Sequence, residues 1–269
     1  MAQIKTTYDA GVGAGGFALD SLADPKDAFR IFDDFLLDTT FHTLDGASTA
    51  AEDSDLDLWK LVQLSGNTTF PAISTAGGFA GGTMRFTTHT GADDGAIIYA
   101  DALWNAPNSK DCAYEVRVSM ANVDESDFFF GFSEGLTTSD IISSGAVVAA
   151  ADGRDRVGWF SDSNTTIGKA QVFCSNGTAG IGGTTTGELD TEFGVDSSDT
   201  AAASGAMIRF GITVTGSTVR FFINGELKHQ LENASLVPSA SVYPVMFMTT
   251  NASGAESFDV DYIDVSGKR

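Results

Sequence analysis

Within the stretch GELDTEFG, three carboxylates, Glu188, Asp190 and Glu192, occupy alternate positions. Alternate residues of an extended strand share one face, so the three would project together. Two such groups on a curved sheet can divide the cleavage of a glycosidic bond, one as nucleophile and one as proton donor. A third carboxylate between them tunes both through its charge. Four observations weigh against catalysis. Acidic residues are abundant throughout the chain, Gly187 and Gly194 bracket the strand closely, and its other face offers only Leu189 and Thr191. The tryptophans that could form a sugar platform, Trp59, Trp104 and Trp159, lie in or beside apolar strand-like segments, where core packing is the default. The residues alone therefore give the expectation of no catalytic group and no enzyme.

The remaining reactive residues are scattered. GVGAGG, with Gly11, Gly13 and Gly16, has the spacing of a dinucleotide loop, but no hydrophobic strand precedes it and Pro25 follows too soon for a crossover helix. His42, His89 and His229 are isolated, which suits neither a zinc site nor a histidine-based triad. Asp93 and Asp94, and Asp259, Asp261 and Asp264, could supply calcium oxygens, yet no EF-hand spacing appears and solvated edges are expected. Cys112 and Cys174 match no metal-ligand spacing; a disulfide is open to them, and two buried free thiols are the preferred reading. Asn67, Asn164, Asn176, Asn233 and Asn251 begin Asn-x-Ser/Thr triplets, as a Ser/Thr-rich chain yields by chance. No metal and no cofactor is expected, and no ligand-binding residue is assigned.

Positioning any of these groups falls to strands. Period-two alternation dominates from Phe29 onward. AYEVRVSM sets Tyr114, Val116, Val118 and Met120 against Glu115, Arg117 and Ser119, and MIRFGITVTG sets Ile208, Phe210, Ile212 and Val214 against Arg209, Gly211 and Thr213. That pattern is a strand with one buried and one wet face. FRIFDDFLL, LDLWKLVQL, TMRFTTH, AIIYAD, DFFFGF, RVGWF, KAQVF, YPVMFMTT and SFDVDYIDV read the same way. In VRFFINGELKHQL, Asn224-Gly225 tolerates the positive φ angles of a type I′ turn, so 217–223 and 226–231 should form a hairpin. About a dozen strands with turn signals between them point to a sandwich of two antiparallel sheets.

The chain has 269 residues, 20 of them Phe, enough apolar surface for a sizeable core. Residues 1–28 are Gly-rich and weakly hydrophobic and read as an extended arm; residues 29–269 read as one β-sandwich domain. Residues 176–205 read as loops around a short strand. Acidic residues number 36 against 15 basic, a formal net charge of -21. Such a field repels phosphate backbones and anionic lipid surfaces, so neither nucleic acid nor membrane is an expected partner. The N-terminus lacks the apolar core of a signal peptide, and the expectation is a soluble protein made in a reducing cytosol.

Two resemblances extend this reading. The Glu188-x-Asp190-x-Glu192 strand, with the VRFFINGEL hairpin downstream, resembles family-16 glycoside hydrolases on a concanavalin A-like jelly roll. That resemblance would make Glu188 the nucleophile, Asp190 its helper and Glu192 the acid/base. The segment from MIRFGITVTG to SFDVDYIDV resembles the closing strands of concanavalin A-like and laminin G-like jelly rolls. FDDFL, LWKL, GGTMRFTTHTGADDGAIIYAD and YEVRVSMANVDESDFFFGFSEG resemble structural proteins of tailed bacteriophages. The phage resemblance implies a non-enzymatic capsid decoration or cement protein, assembled in the host cytoplasm onto the outer capsid surface. It would bind the major capsid protein as a homotrimer. A glycan-binding adhesin or fibre module, taking a host-surface glycan, is the third reading that the same fold allows.

Overall fold

The computed structural model describes residues 28–33, 59–63, 72–75, 83–88, 95–100, 107, 111–120, 126–135, 142–143, 146–147, 153–161, 169–178, 180–181, 190–192, 207–250 and 256–268. Their eighteen strands, numbered in chain order, form two eight-stranded antiparallel sheets and one small hairpin. Sheet A runs from β16 (Glu226–Glu232) through β15 (Thr218–Ile223), β14 (Ile208–Thr215) and β6 (Cys112–Met120) to β18 (Ser257–Lys268). Beyond β18 lie β4 (Met84–Thr87) and then β3 (Ala72–Thr75), while β1 (Ala28–Asp33) pairs with the far end of β18. Sheet B runs from β12 (Gly180–Ile181) through β11 (Lys169–Asn176), β10 (Asp155–Ser161) and β7 (Ser126–Ser133). It continues through β17 (Tyr243–Thr250) and β5 (Gly95–Ala100) to β2 (Trp59–Gln63). β13 (Asp190–Glu192) pairs with the start of β11, and β8 (Ile142–Ser143) pairs with β9 (Ala146–Val147). Residues 1–27 of the expected arm fall outside the described residues, as do Glu188, GVGAGG, His42, His89, Trp104 and Asp93-Asp94, while Ala28 belongs to β1.

Sheet A obeys the alternation read from its sequence. Ile208, Phe210, Ile212 and Val214 of β14, and Tyr114, Val116, Val118 and Met120 of β6, all enter the core between the sheets. The opposite face is a polar lattice. Arg85 grips Asp259 through two bonds of 2.7 Å, Arg30 grips Asp264 at 2.9 and 2.7 Å, and Arg117 meets Asp261 at 2.6 Å. Lys268 pairs with Asp111. Asn224 and Gly225 close the β15–β16 hairpin with φ of 52° and 82°, the type I′ geometry expected of them. The Asn224 side-chain oxygen also accepts the Arg209 N–H at 3.0 Å, tying the turn to β14.

The last strand departs from simple alternation. Phe258 and Val260 enter the core, and so do Ile263 and Val265, which are out of phase with them. A bulge between Val260 and Tyr262 absorbs the slip, leaving Asp261 as the extra residue. Both apolar pairs thereby face inward, and Asp261 and Tyr262 both reach the polar lattice.

Sheet B corrects the expectation of one wet face. Phe128, Phe130, Phe132, Val157, Trp159, Val172, Cys174, Met246 and Met248 line the inter-sheet core. Their neighbours Phe129, Phe160, Phe173, Val245, Phe247, Ile97 and Tyr99 form a second cluster on the other face, each 4% exposed or less. Apolar side chains at consecutive positions are how a strand buried on both faces reads, and DFFFGF is such a run. Inside the main core, Phe128 and Phe130 stack at 4.6 Å, and Trp159 meets Phe221 edge-on at 5.5 Å.

Candidate functional site

The acidic motif belongs to sheet B. β13 places Asp190 opposite Gln171 and Glu192 opposite Lys169, at the edge of the sheet beside β11. From Gln171 the register runs inward across the second apolar face to Phe160, Phe129, Phe247 and Ile97. The strand read from GELDTEFG thus borders an aromatic floor, with Glu188 outside the described residues.

The floor is tightly built. Phe160 and Phe173 meet edge-on at 6.0 Å, as do Tyr99 and Tyr243 at 5.8 Å. The Phe129 ring lies over Gly158, where a Cβ would come within 2.4 Å of it. Polar groups stand at both ends. At one end Arg156 is buried with its guanidinium 5.7 Å from the Phe173 ring, and it pairs in register with Ser175 and Ser133. At the other, Asp127 and Thr249 face one another across β7 and β17, both buried. On the other side of β10, in phase with Val157 and Trp159, the Asp155 carboxylate accepts the N–H groups of Ser239 and Ala240, each at 2.5 Å, and pins residues 239–240 to sheet B. Arg156, Asp127 and Thr249 were not singled out from the sequence. The signal that could have found them is the unbroken apolar run of DFFFGF, which marks a second buried face on which polar neighbours stand out.

A second titratable group lies on the polar face of sheet A. Glu115 accepts the Tyr262 hydroxyl at 2.5 Å, and its other oxygen lies 3.8 Å from Arg209. Desolvation pushes its carboxyl above the ordinary range, while the Tyr262 hydrogen bond and the Arg209 charge pull it back. Tyr262 is driven upward by burial and by the neighbouring Glu115 charge. Asp259, Asp261 and Asp264 are each committed to an arginine, and among the described residues no group of three His, Cys, Asp or Glu side chains is arranged to hold a metal. Cys112 and Cys174 are free and buried in the core, and burial pushes both thiols up. His229 sits on β16 against Phe221 (ring centroids 6.4 Å apart), and burial lowers its pKa. Among the described residues no helix is long and apolar enough to cross a membrane.

Among solved structures, the chain resembles the Bacillus licheniformis β-glucanase at a TM-score of 0.53 and 13% identity, over 88% of this chain and 97% of that one. A prokaryotic β-1,3-1,4-glucanase (lichenase) from a mouse hindgut metagenome matches at 0.53 and 11%, over 88% and 98%. The carbohydrate recognition domain of Emp46p matches at 0.53 and 10%, over 83% and 94%. The fold is a concanavalin A-like jelly roll. At this identity the likeness concerns the backbone and carries no function. No family model and no curated protein matches the chain. Among the described residues, Asp190–Glu192 forms an edge strand of the sheet whose second face carries Phe129, Phe160, Phe173 and Phe247.

Proposed function

We propose that this jelly roll is a non-catalytic structural module that works by holding neighbours, as a decoration protein on the outer capsid surface of a tailed phage. The observation that carries the non-catalytic part is the state of sheet B. Its second face is occupied by Phe129, Phe160, Phe173 and Phe247, each 1% exposed or less, so this part of the face is filled by the protein's own side chains. A face closed in this way suits a rigid scaffold. The capsid part rests on the resemblance of the segments within residues 29–265 to phage structural proteins, and the net charge of -21 suits a surface turned away from packaged nucleic acid. The partners in this reading are the major capsid protein and two further copies of the chain. The test is light scattering together with co-sedimentation on purified capsids lacking the protein. Trimers that load onto capsids are expected; monomers that stay in the supernatant would overturn the reading.

A second reading, a β-glucan hydrolase, is favoured by one observation: β13 forms where the motif requires a strand, on the margin of the aromatic floor. In that reading Glu188 attacks, Glu192 donates the proton and Asp190 tunes the pair. It requires reducing sugar to be released from a β-glucan by the parent protein and not by Glu188→Gln. An inactive parent removes it.

A further inference from the structure

The chain contains two Asn-Gly pairs, at 176–177 and 224–225, and the fold treats them differently. In any Asn-Gly pair the glycine nitrogen, unshielded by a side chain, can attack the asparagine side-chain carbonyl. Glycine is required at 177. Its φ is +79°, and a Cβ there would lie 3.0 Å from the backbone of Gly153 and 3.1 Å from the Asp155 carboxylate. The Asn176 side-chain oxygen accepts two bonds from Thr178, one from its N–H at 3.1 Å and one from its hydroxyl at 3.0 Å. Both donors are aimed at the oxygen that would carry negative charge once the Gly177 nitrogen adds to the carbon, the arrangement that stabilises a tetrahedral intermediate.

At Asn224 the same oxygen accepts the Arg209 N–H at 3.0 Å, and the Asn224 N–H donates to the Arg209 carbonyl at 2.8 Å. That side chain is tethered across the sheet and must leave β14 before it can cyclise.

We propose that Asn176 is a self-modifying site whose co-reactant is water, and that Asn224 is protected by its hairpin. The Gly177 nitrogen bonds to the Asn176 side-chain carbon, giving its proton to solvent. The Gly177 N–H otherwise rests on the Ser175 hydroxyl at 3.1 Å, a single neutral contact given up in this step. The bond to the amide nitrogen breaks and ammonia leaves. Water then opens the cyclic imide to aspartate or isoaspartate, with no change of oxidation state. The product carries a new carboxylate opposite Asp155 in the β10–β11 register. Like charges facing one another across strands repel, so conversion loosens the clamp that Asp155 keeps on residues 239–240.

The experiment is incubation of the folded chain at mildly alkaline pH, with peptide mass mapping of the gain of about one dalton at each site and an isoaspartate assay. A parallel sample in denaturant supplies the intrinsic rates. Folded protein should convert at 176 well ahead of 224, whereas in denaturant the two sites should run at similar rates. Thr178→Val, at an exposed position, should slow conversion at 176 by about fivefold, one neutral hydrogen bond's worth. Equal folded rates at the two sites, a faster Asn224, no conversion at either, or an unchanged rate in Thr178→Val would each overturn the proposal.

Discussion

The indole N–H of Trp159, on sheet B, donates to the backbone carbonyl of Gly211, on sheet A, at 3.1 Å. Both residues are buried, so this polar contact spans the apolar core between the sheets. Trp159 also touches Phe210 and Phe221, which makes it the point where ring packing and hydrogen bonding between the layers coincide. Trp159→Phe removes the donor and opens a small cavity. It should cost about 2–3 kcal/mol, read as a lower urea midpoint with unchanged slope.

Gly158 and Phe129 occupy one another's space on the second face of sheet B. A Cβ at 158 would meet the Phe129 ring at 2.4 Å, and that ring is buried among Phe247, Phe160 and Val245 with little freedom to move. Gly158→Ala should therefore destabilise by about 2 kcal/mol or more through overpacking. Pairing it with Phe129→Leu should recover part of the loss, a coupling that a double-mutant cycle in denaturant measures.

Gly225 sits at φ 82° in the hairpin turn. Gly225→Ala forces a Cβ into the left-handed region and should cost about 1–2 kcal/mol. The thermal midpoint should fall, while the near-ultraviolet signature of the packed aromatics of sheet B persists up to the transition.

Glu115 makes stability depend on pH in a definite direction. Burial raises its folded pKa above the unfolded value of about 4.3. The folded state thus holds the proton more tightly, and the stability linked to Glu115 is full below the unfolded value and lost as pH rises through the folded one. Glu115→Gln keeps an acceptor for Tyr262 without the charge. Its stability relative to the parent should rise from acidic toward neutral pH, with the change confined to the window above about pH 4. Thermal midpoints across that range check it; a parallel offset at all pH values would contradict it.

Local pattern carried most of sheet A. The alternation of Ile208, Phe210, Ile212 and Val214, and the Asn224-Gly225 turn, are short-range signals, and both appear in the fold as read. The bulge at Asp261 was missed because SFDVDYIDV looks regular until Ile263 is seen to share a face with Val260. Sheet B was misread for a related reason: DFFFGF contains alternation only if half its phenylalanines are assumed wet. The candidate site was legible as a strand at 190–192, but not as an edge strand. Its neighbour β11 is set by pairing at longer range, which residue spacing does not encode. For Cys112 and Cys174 the sequence leaves a disulfide open and favours two buried free thiols; in the fold both are free and buried.

β18 lies in the middle of sheet A, hydrogen-bonded to β6 on one side and to β4 and β1 on the other. Until residues 257–268 leave the ribosome, β1 and β4 have no partner joining them to β6. Sheet A meanwhile stays in two pieces, β6, β14, β15 and β16 on one side of the gap and β3 and β4 on the other. Folding is therefore expected to finish only after nearly the whole domain has been synthesised, and a nascent chain stalled before β18 is a natural client for chaperones.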